Sequence, residues 1–506
     1  RYTASILAAA FCLSAVLSFP SFAAVEERNL TPEDRYYMEI QSNSWENWPA
    51  GPQVYAEYAI VMEASTGTIL YAKNIEDQHY PASITKIMTV LLALENCDLD
   101  EEVVFSHNAV YSIDYASSHI ARDEGEILTV EECLYAILLE SANECSNAIA
   151  EHIAGTTEAF AEMMNERAAQ LGCTNTHFVN PHGLPDENHY TSAHDMALIL
   201  QEAVKHETFR RISGSANYTL RATNLKDEEL LMNNHHYMIS AYKTSRFLDD
   251  TVFAGKTGYT TAALNTLVTC ATRNGMDLLC VTMKTQGSGE QGVPLYTDTA
   301  NLLDYAGENF QKINISQNET NFTINQNELF STGSSFFDNT TPMIELDDDG
   351  YVVLPVGVDF SAASPQLEFV DGDDEVIATL TYSYAGQEVG STDLLMTGTD
   401  IQEFTFQKID QGEEEEPTDA DEETGAQVRL IKINLRIVGI AAAAVVLIVV
   451  LILVFRKLSS NIFTDWHFFR NWKRRRSERN AFGNQNRIRY RSWKRNRKNW
   501  WKFWKK

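Results

Sequence analysis

The sequence lacks the cysteine and histidine spacings that mark metal sites and small disulfide-bonded domains. Its 506 residues include seven cysteines, with no C-x-x-C pair and no H-E-x-x-H motif. Four histidines do cluster in one stretch: His177, His182, His189 and His194. Because no ligand-like spacing accompanies them, no metal and no cofactor is expected. Several cysteines, among them Cys133 and Cys270, are expected to be buried free thiols.

Basic residues are scarce over most of the chain and abundant at its end. Residues 1–455 hold 22 basic and 68 acidic side chains, a net charge of −46, whereas residues 456–506 hold 18 basic and 2 acidic ones, a net charge of +16. Parts that differ this much usually lie in different surroundings. The run Lys473–Arg476 has the chemistry of a nucleic-acid patch, but its place after an apolar stretch favours anionic lipid headgroups. No nucleic acid is expected as a partner.

Charged residues are absent from Ile437 to Phe455, a run of 19 residues that is long enough to span a bilayer. Positive residues after a span mark the cytoplasmic side, so the tail at 456–506 is expected inside and the acidic chain outside. Residues 1–23, largely apolar and ending in small residues, predict a cleaved export signal. An acidic, apolar-poor segment at 408–430 predicts a disordered linker. Residues 24–52 are polar, and no regular structure is expected there.

The most informative stretch is Tyr80–Thr89, which reads Y-P-A-S-I-T-K-I-M-T. Apolar residues recur here at three- and four-residue steps, which predicts a helix. Ser83 and Lys86 would then be neighbours, because residues three apart lie on one face of a helix. A serine hydroxyl becomes a nucleophile when an amine of lowered pKa takes its proton. The alternative for such a pair is a helix cap followed by a solvated lysine.

Two further triplets fall at structurally distinct places. Ser141-Ala142-Asn143 lies at a break between two predicted helices, the first of which begins at a capping box formed by Thr129 and Glu132. Lys256-Thr257-Gly258 lies on a predicted strand, ahead of a hairpin that turns at Asn274-Gly275. Taken singly, the first triplet is typical of turn chemistry, and the second is common in unrelated proteins.

Taken together, S-x-x-K, S-x-N and K-T-G follow the order found in penicillin-binding proteins and class A β-lactamases. Over roughly residues 50–310 the chain resembles the serine-type D-alanyl-D-alanine carboxypeptidases, the low-molecular-mass penicillin-binding proteins. Asn180–Asp186 and Gly255–Thr260 resemble the same family, whereas Ala142 replaces the usual Asp of the middle motif.

This resemblance implies an α+β fold. A penicillin-binding/β-lactamase-like transpeptidase domain, an antiparallel sheet with a helical cluster, is expected over residues 50–312. The short alternating segments that follow predict a small all-β domain over residues 314–407, before the single C-terminal transmembrane helix. The expected location is the bacterial cell membrane, with one pass and with the catalytic domain outside the cytoplasm.

The resemblance also implies catalytic roles. Ser83 is expected to form an acyl-enzyme with the penultimate D-Ala of a peptidoglycan stem peptide, with Lys86 as the general base. Ser141 is expected to relay the proton, and Asn143 to position the substrate. β-Lactam antibiotics are expected to acylate the same serine.

The third motif is expected to bind the end of the substrate. The resemblance implies that Lys256 and Thr257 hold its terminal carboxylate and that the backbone N–H groups of Ser83 and Tyr259 form the oxyanion hole. Gly258 allows a ligand to approach the backbone closely. Family members often carry an Arg after this hairpin, but the corresponding region, Glu290–Asp298, has none.

Three other functions stay open at this point. A D,D-endopeptidase that cuts cross-links would use the same residues. A β-lactamase would need a deacylating Glu in an E-x-x-L-N sequence, and the nearest match, Glu229–Asn233, has Met232 and lies close to Lys256. A catalytically silent wall-binding or sensing protein would not require intact motifs.

Overall fold

The computed structural model describes residues 30–286, 293–319, 343–370 and 376–397. The predicted export signal, acidic linker, membrane span and basic tail lie outside these residues. Within them, no helix has both the length and the apolar character needed to cross a bilayer. The described residues all belong to one compact unit.

Nine α-helices and fifteen strands lie in the described ranges. The helices are α1 (Pro32–Tyr36), α2 (Lys86–Asn96), α3 (His107–Tyr111), α4 (Val130–Tyr135), α5 (Asn143–Ala154), α6 (Thr157–Gln170), α7 (Ala193–Ala203), α8 (Glu207–Ser213) and α9 (Val293–Asn309). The strands are β1 (Tyr58–Glu63), β2 (Ile69–Lys73), β3 (Glu102–Val104), β4 (Ile127–Thr129), β5 (Asn217–Leu220), β6 (Leu230–Asn233), β7 (Val252–Thr260), β8 (Leu264–Arg273), β9 (Met276–Thr285), β10 (Phe310–Asn314), β11 (Met343–Leu346), β12 (Tyr351–Pro355), β13 (Ser364–Phe369), β14 (Val376–Tyr384) and β15 (Gln387–Thr397).

The larger part of the fold is built on a five-stranded antiparallel sheet of order β2-β1-β9-β8-β7. The predicted hairpin of β8 and β9 is confirmed, and its turn residues Asn274 and Gly275 both have positive φ, 49° and 76°, as a two-residue hairpin turn requires. Strands β1 and β2 also pair in antiparallel orientation and form a second hairpin. Strand β7, which carries the K-T-G motif, is at the edge of this sheet.

Alternate residues of the central strands point into two different apolar cores. On β9, Leu279 and Val281 pack with the helical cluster, whereas Leu278 and Cys280 pack on the opposite side, as the two-residue period of a strand dictates. The helical cluster contributes buried side chains from its separate helices, including Leu91, Leu134, Ile149 and Leu200. This arrangement agrees with the expected antiparallel sheet with a helical cluster.

A second, six-stranded antiparallel sheet is formed by β10 to β15, in the order β10-β12-β15-β14-β13 with β11 paired to β15. A hairpin that turns at Ala385 and Gly386 joins β14 to β15. Its first strand begins at Phe310, inside the range predicted for the catalytic domain, and its buried residues share one core with the five-stranded sheet. That these strands form a separate small domain stays a prediction.

The expectation of no regular structure before residue 52 is wrong for the described part of that segment. Thr31 caps the short helix α1 through a capping box with Asp34. Farther along, Trp48 is 8% exposed and donates from its indole N–H to the carbonyl of Leu70 at 3.0 Å. The segment therefore covers the sheet near β2, although its apolar residues have no periodic spacing.

Candidate active site

Ser83 lies in the 3₁₀ turn Ala82–Thr85, and Lys86 is the first residue of helix α2. The Lys86 Nζ lies 3.2 Å from the Ser83 Oγ. The two side chains therefore meet as the S-x-x-K spacing predicts, although the serine precedes the α-helix. Ala82, just before the serine, has a φ of 53°, a conformation that is uncommon for a residue with a side chain.

The Lys86 amine is fully buried and is held by two further acceptors. It donates to the Asn143 Oδ1 and to the carbonyl oxygen of His182, both at 2.7 Å. Burial, and secondly the positive charge of Lys256, lower the pKa of Lys86 well below its usual value. A neutral amine beside a serine hydroxyl is the state that a general base requires.

Ser141 and Asn143 stand where the chain leaves one helix and enters the next. Helix α4, which begins at the predicted capping box, continues into a π-helical turn, Ala136–Glu140. Ser141 then takes a left-handed conformation, with φ 61° and ψ 33°, which interrupts the helical path and separates the turn from α5. Its hydroxyl oxygen is buried without a hydrogen-bond partner in the described part of the chain. A buried hydroxyl in this state is available to a substrate or to a proton in transit.

Asn143 links the catalytic pair to a neighbouring loop. Its Nδ2 donates to the Ser117 Oγ at 2.9 Å, while its Oδ1 accepts from Lys86. Its backbone N–H donates to the carbonyl of Ser118 at 3.0 Å. The side chain is therefore fixed at both ends, and its oxygen is the one directed at the lysine.

The K-T-G strand passes next to the serine because residue 258 is glycine. A Cβ atom at Gly258 would lie 2.3 Å from the Thr266 Oγ1 and 2.9 Å from the backbone nitrogen of Ser83, both too close for any other residue. The Lys256 amine is buried and donates to the carbonyl of Thr257 at 2.9 Å. Burial lowers the pKa of Lys256 to about 7, and the negative charge of Glu140 opposes that shift.

The loop that contains His182 closes the other side of the pair. Gly183 has a φ of +86°, and a Cβ atom there would lie 1.8 Å from the carbonyl oxygen of Ala82. The carbonyl of Pro181 accepts from the Thr89 hydroxyl at 2.6 Å. Backbone carbonyls of this loop therefore hold the lysine and helix α2, and Gly183 allows the loop to lie against the turn that presents the serine.

The histidines that cluster in the sequence make separate contacts in the structure. His189 is buried and its Nε2 lies 2.9 Å from the Thr85 Oγ1. His194 forms a possible three-ligand group with Glu76 and Asp195, but the Asp195 carboxylate already accepts from the backbone N–H of Asn175 at 2.7 Å, among other donors of that loop. The histidine cluster of the sequence is therefore not one site in the fold.

These residues surround a cleft of about 510 Å³. Six of the eight residues predicted for the site line it: Ser83, Ser141, Asn143, Thr257, Gly258 and Tyr259. The two lysines lie behind this lining, with Lys86 0% and Lys256 2% exposed. No ion pair to Lys256 is formed by the residues that the structure describes, so its charge is uncompensated at contact distance.

Comparison with known proteins places this arrangement in a family. Residues 46–287 match the family described as D-alanyl-D-alanine carboxypeptidase, Peptidase S11. The chain is 34% identical over 260 residues to the D-alanyl-D-alanine carboxypeptidase DacF of Bacillus subtilis, covering 51% of this chain and 63% of that protein. It is 31% identical over 257 residues to DacB2 of Mycobacterium tuberculosis, covering 50% of this chain and 82% of that one.

The chain belongs to the D-alanyl-D-alanine carboxypeptidase family. The family resemblance and the expected serine hydrolase are thereby confirmed. The penicillin-binding α+β fold is supported by the structure of penicillin binding protein 5 from Haemophilus influenzae, which is 26% identical, has a TM-score of 0.53 and matches over 69% of this chain and 98% of that one.

Other residues of this carboxypeptidase-family cleft are not apparent from sequence motifs. His235, Tyr237 and Lys243 line the cleft, and the His235 Nε2 lies 3.1 Å from a carboxylate oxygen of Glu140. Ser117 also lines the cleft, and its hydroxyl oxygen accepts a hydrogen bond from the Asn143 amide. No spacing rule connects these positions to the three motifs, because the fold joins them across long sequence separations.

Proposed function

We propose that this protein is a penicillin-binding serine D,D-carboxypeptidase that removes the terminal D-Ala from peptidoglycan stem pentapeptides. The observation that carries the proposal is the 3.2 Å contact between the Ser83 hydroxyl and the buried amine of Lys86. The chain's similarity to carboxypeptidases named for this activity supports the choice of substrate.

In the proposed first step, the Ser83 hydroxyl gives its proton to the neutral Lys86 amine as its oxygen attacks the carbonyl carbon of the penultimate D-Ala. The backbone N–H groups of Ser83 and Tyr259 stabilise the oxyanion that forms; one such donor is worth roughly 3–4 kcal/mol. The proton then passes from Lys86, through the Ser141 hydroxyl, to the nitrogen of the departing D-Ala. Water attacks the acyl-enzyme in the second half of the reaction, with the same lysine as base.

The proposed carboxylate contact uses Lys256 and Thr257. Thr257 lines the cleft, and the buried cation behind it attracts a carboxylate at the end of the substrate. Since the region expected to carry an Arg has none, Lys256 supplies more of this attraction than in relatives that have one.

Labelled penicillin tests the proposal. We expect wild-type protein to take up covalent label and to release D-Ala from a stem pentapeptide, and Ser83→Ala to do neither. Ser118→Ala is the matched control, because Ser118 lines the same cleft and its contact to Asn143 uses only its carbonyl group. Absence of label would reject the enzyme, release of hydrolysed antibiotic would indicate a β-lactamase, and cleavage only of cross-linked peptides would indicate an endopeptidase.

We also propose that the protein is anchored in the bacterial cell membrane, with its catalytic part outside and its tail in the cytoplasm. The support is the uncharged run 437–455 between an acidic segment and a basic tail. The tail is proposed to lie on anionic headgroups, each Lys or Arg contributing about 1 kcal/mol. A tail peptide that fails to bind anionic vesicles at low salt would reject this contact, and protease cleavage of the tail from outside intact cells would reject the orientation.

A further inference from the structure

A second cavity, of about 330 Å³, lies next to the loop that forms one wall of the cleft. Its lining includes Val110, Tyr111, Ile113, Tyr115 and Glu144. None of the eight residues predicted for the active site lines it. The volume is at the lower end of the range for sites that bind small organic molecules.

The cavity contains a carboxylate that is only half satisfied. Glu144 is 1% exposed, and its Oε1 accepts from the backbone N–H of Ile120 at 2.7 Å. Its Oε2 has no hydrogen-bond partner in the part of the chain described. A buried acceptor without a donor is costly, and a donor placed in the cavity would remove that cost.

The charges around the cavity favour a cation. Arg122 lines it, but its guanidinium is already paired with Glu126 at 2.7 Å and bonded to the carbonyl of Ile120 at 2.9 Å. Of the two carboxylates in the lining, Asp123 is paired with Lys226 at 3.1 Å, whereas Glu144 forms no salt bridge with the described residues. At the rim, the rings of Tyr111 and Tyr115 are exposed, the latter by 87%, and such faces attract cations.

We propose that this cavity binds a small organic cation, an ammonium or amidinium group on an apolar body, which donates to the Glu144 carboxylate while its body packs against the two tyrosines. The cation then acts on the neighbouring active site. This effect rests on the function proposed above, whereas the binding does not.

The route of the effect is short. Asn143 and Glu144 are adjacent in the first turn of α5. The loop between Tyr115 and Ile120 contributes to both sites, because Ser117 and Ser118 bond Asn143 while Tyr115 lines the cavity. Ordering of this loop by a bound cation would therefore alter how firmly the Asn143 amide holds Lys86.

Benzamidine is a suitable probe, with neutral benzamide as its matched isostere. Calorimetry on the full chain is expected to show saturable benzamidine binding at millimolar concentration or below and at least about tenfold weaker binding of benzamide, a difference of roughly 1.4 kcal/mol. Glu144→Gln is expected to remove the preference. Tyr115→Ala, at an exposed position that folding does not require, is expected to weaken benzamidine several-fold. Equal binding of the two probes, or benzamidine binding that neither variant changes, would overturn the proposal.

Two further measurements separate this site from the cleft. Protein already acylated with penicillin should bind benzamidine as well as free protein does, and loss of binding would place the probe in the cleft and overturn the proposal. Saturating benzamidine should change the rate of penicillin acylation by at least about twofold, which is a small coupling free energy; an unchanged rate would overturn the effect on the active site. If the protein is not labelled by penicillin, the proposed function is rejected, but the benzamidine affinities can still be measured and still test the binding site.

Discussion

The substitution Asn143→Asp tests whether Lys86 is the base. It keeps the shape of the side chain and places a negative charge where the amide oxygen now lies, 2.7 Å from the Lys86 amine. At separations of about 2.7–4 Å and an effective dielectric constant of about 20, the attraction is roughly 4–6 kcal/mol. Since one pKa unit corresponds to about 1.4 kcal/mol, the pKa of Lys86 should rise by about 3–4 units.

The sign of the effect on rate follows from which form of the lysine reacts. In the wild type, burial and secondly Lys256 lower the pKa of Lys86, so its amine is neutral to a greater extent than that of an exposed lysine. In Asn143→Asp the amine stays protonated to a higher pH. Acylation at neutral pH should therefore fall by about 10²–10⁴-fold, the usual contribution of a positioned base, and the acidic limb of the pH profile should move upward.

The assay is the rate of acylation by fluorescent penicillin, measured from weakly acidic to alkaline pH. Asn143→Ala is the control, because it loses the same hydrogen bond without adding a charge. It should lose rate while its acidic limb does not move upward. An Asn143→Asp protein with the acidic limb of the wild type, or with a rate within about threefold of it at neutral pH, would refute the assignment of Lys86 as base.

Three further predictions concern a close backbone contact, a buried ion-pair group and the titration of Lys256. Gly183→Ala should destabilise the protein and abolish penicillin labelling, because its Cβ would lie 1.8 Å from the backbone carbonyl oxygen of Ala82. Gly155→Ala is the control, since Gly155 has a φ of +80° but no atom within 4 Å of the added Cβ. Urea unfolding should show a loss of only about 1–2 kcal/mol for this control. Glu57→Gln should lower the free energy of unfolding by about 3–5 kcal/mol, because it leaves the buried Arg35 and Lys284 without their shared carboxylate. Glu124→Gln, which removes the exposed contact with His107, is the control and should change the free energy of unfolding little. Because the pKa of Lys256 is lowered to about 7, its cation is lost as pH rises through that value, so KM for the stem peptide should rise there, and Lys256→Arg should remove this rise.

The local features of the fold could be predicted from the sequence, because each depends on residues a few positions apart. The Thr129 capping box, the Asn274-Gly275 turn and the contact of Ser83 with Lys86 are of this kind. The carbonyl of His182, which also holds the lysine, could not be predicted, since a backbone acceptor leaves no side-chain signature. It lies 96 positions from Lys86.

The segment before β1 shows a second limit. Trp48 is buried in the described structure, but the sequence around it has no helical or strand periodicity that would predict its burial. Whether a residue of this segment is buried depends on the surface of the sheet against which it packs, and that surface is assembled from distant parts of the chain. The same reason hides His235 and Ser117 from motif analysis, although both belong to the cleft or its immediate support.

The apolar layer common to the two sheets determines where this polypeptide can be divided. Leu278 and Cys280 on one sheet share that layer with Val353 and Tyr382 on the other. A shortened chain ending at residue 312, the predicted end of the catalytic domain, would expose this apolar surface to water and should aggregate on expression. Soluble fragments for crystallisation or screening should instead retain the strands through Thr397.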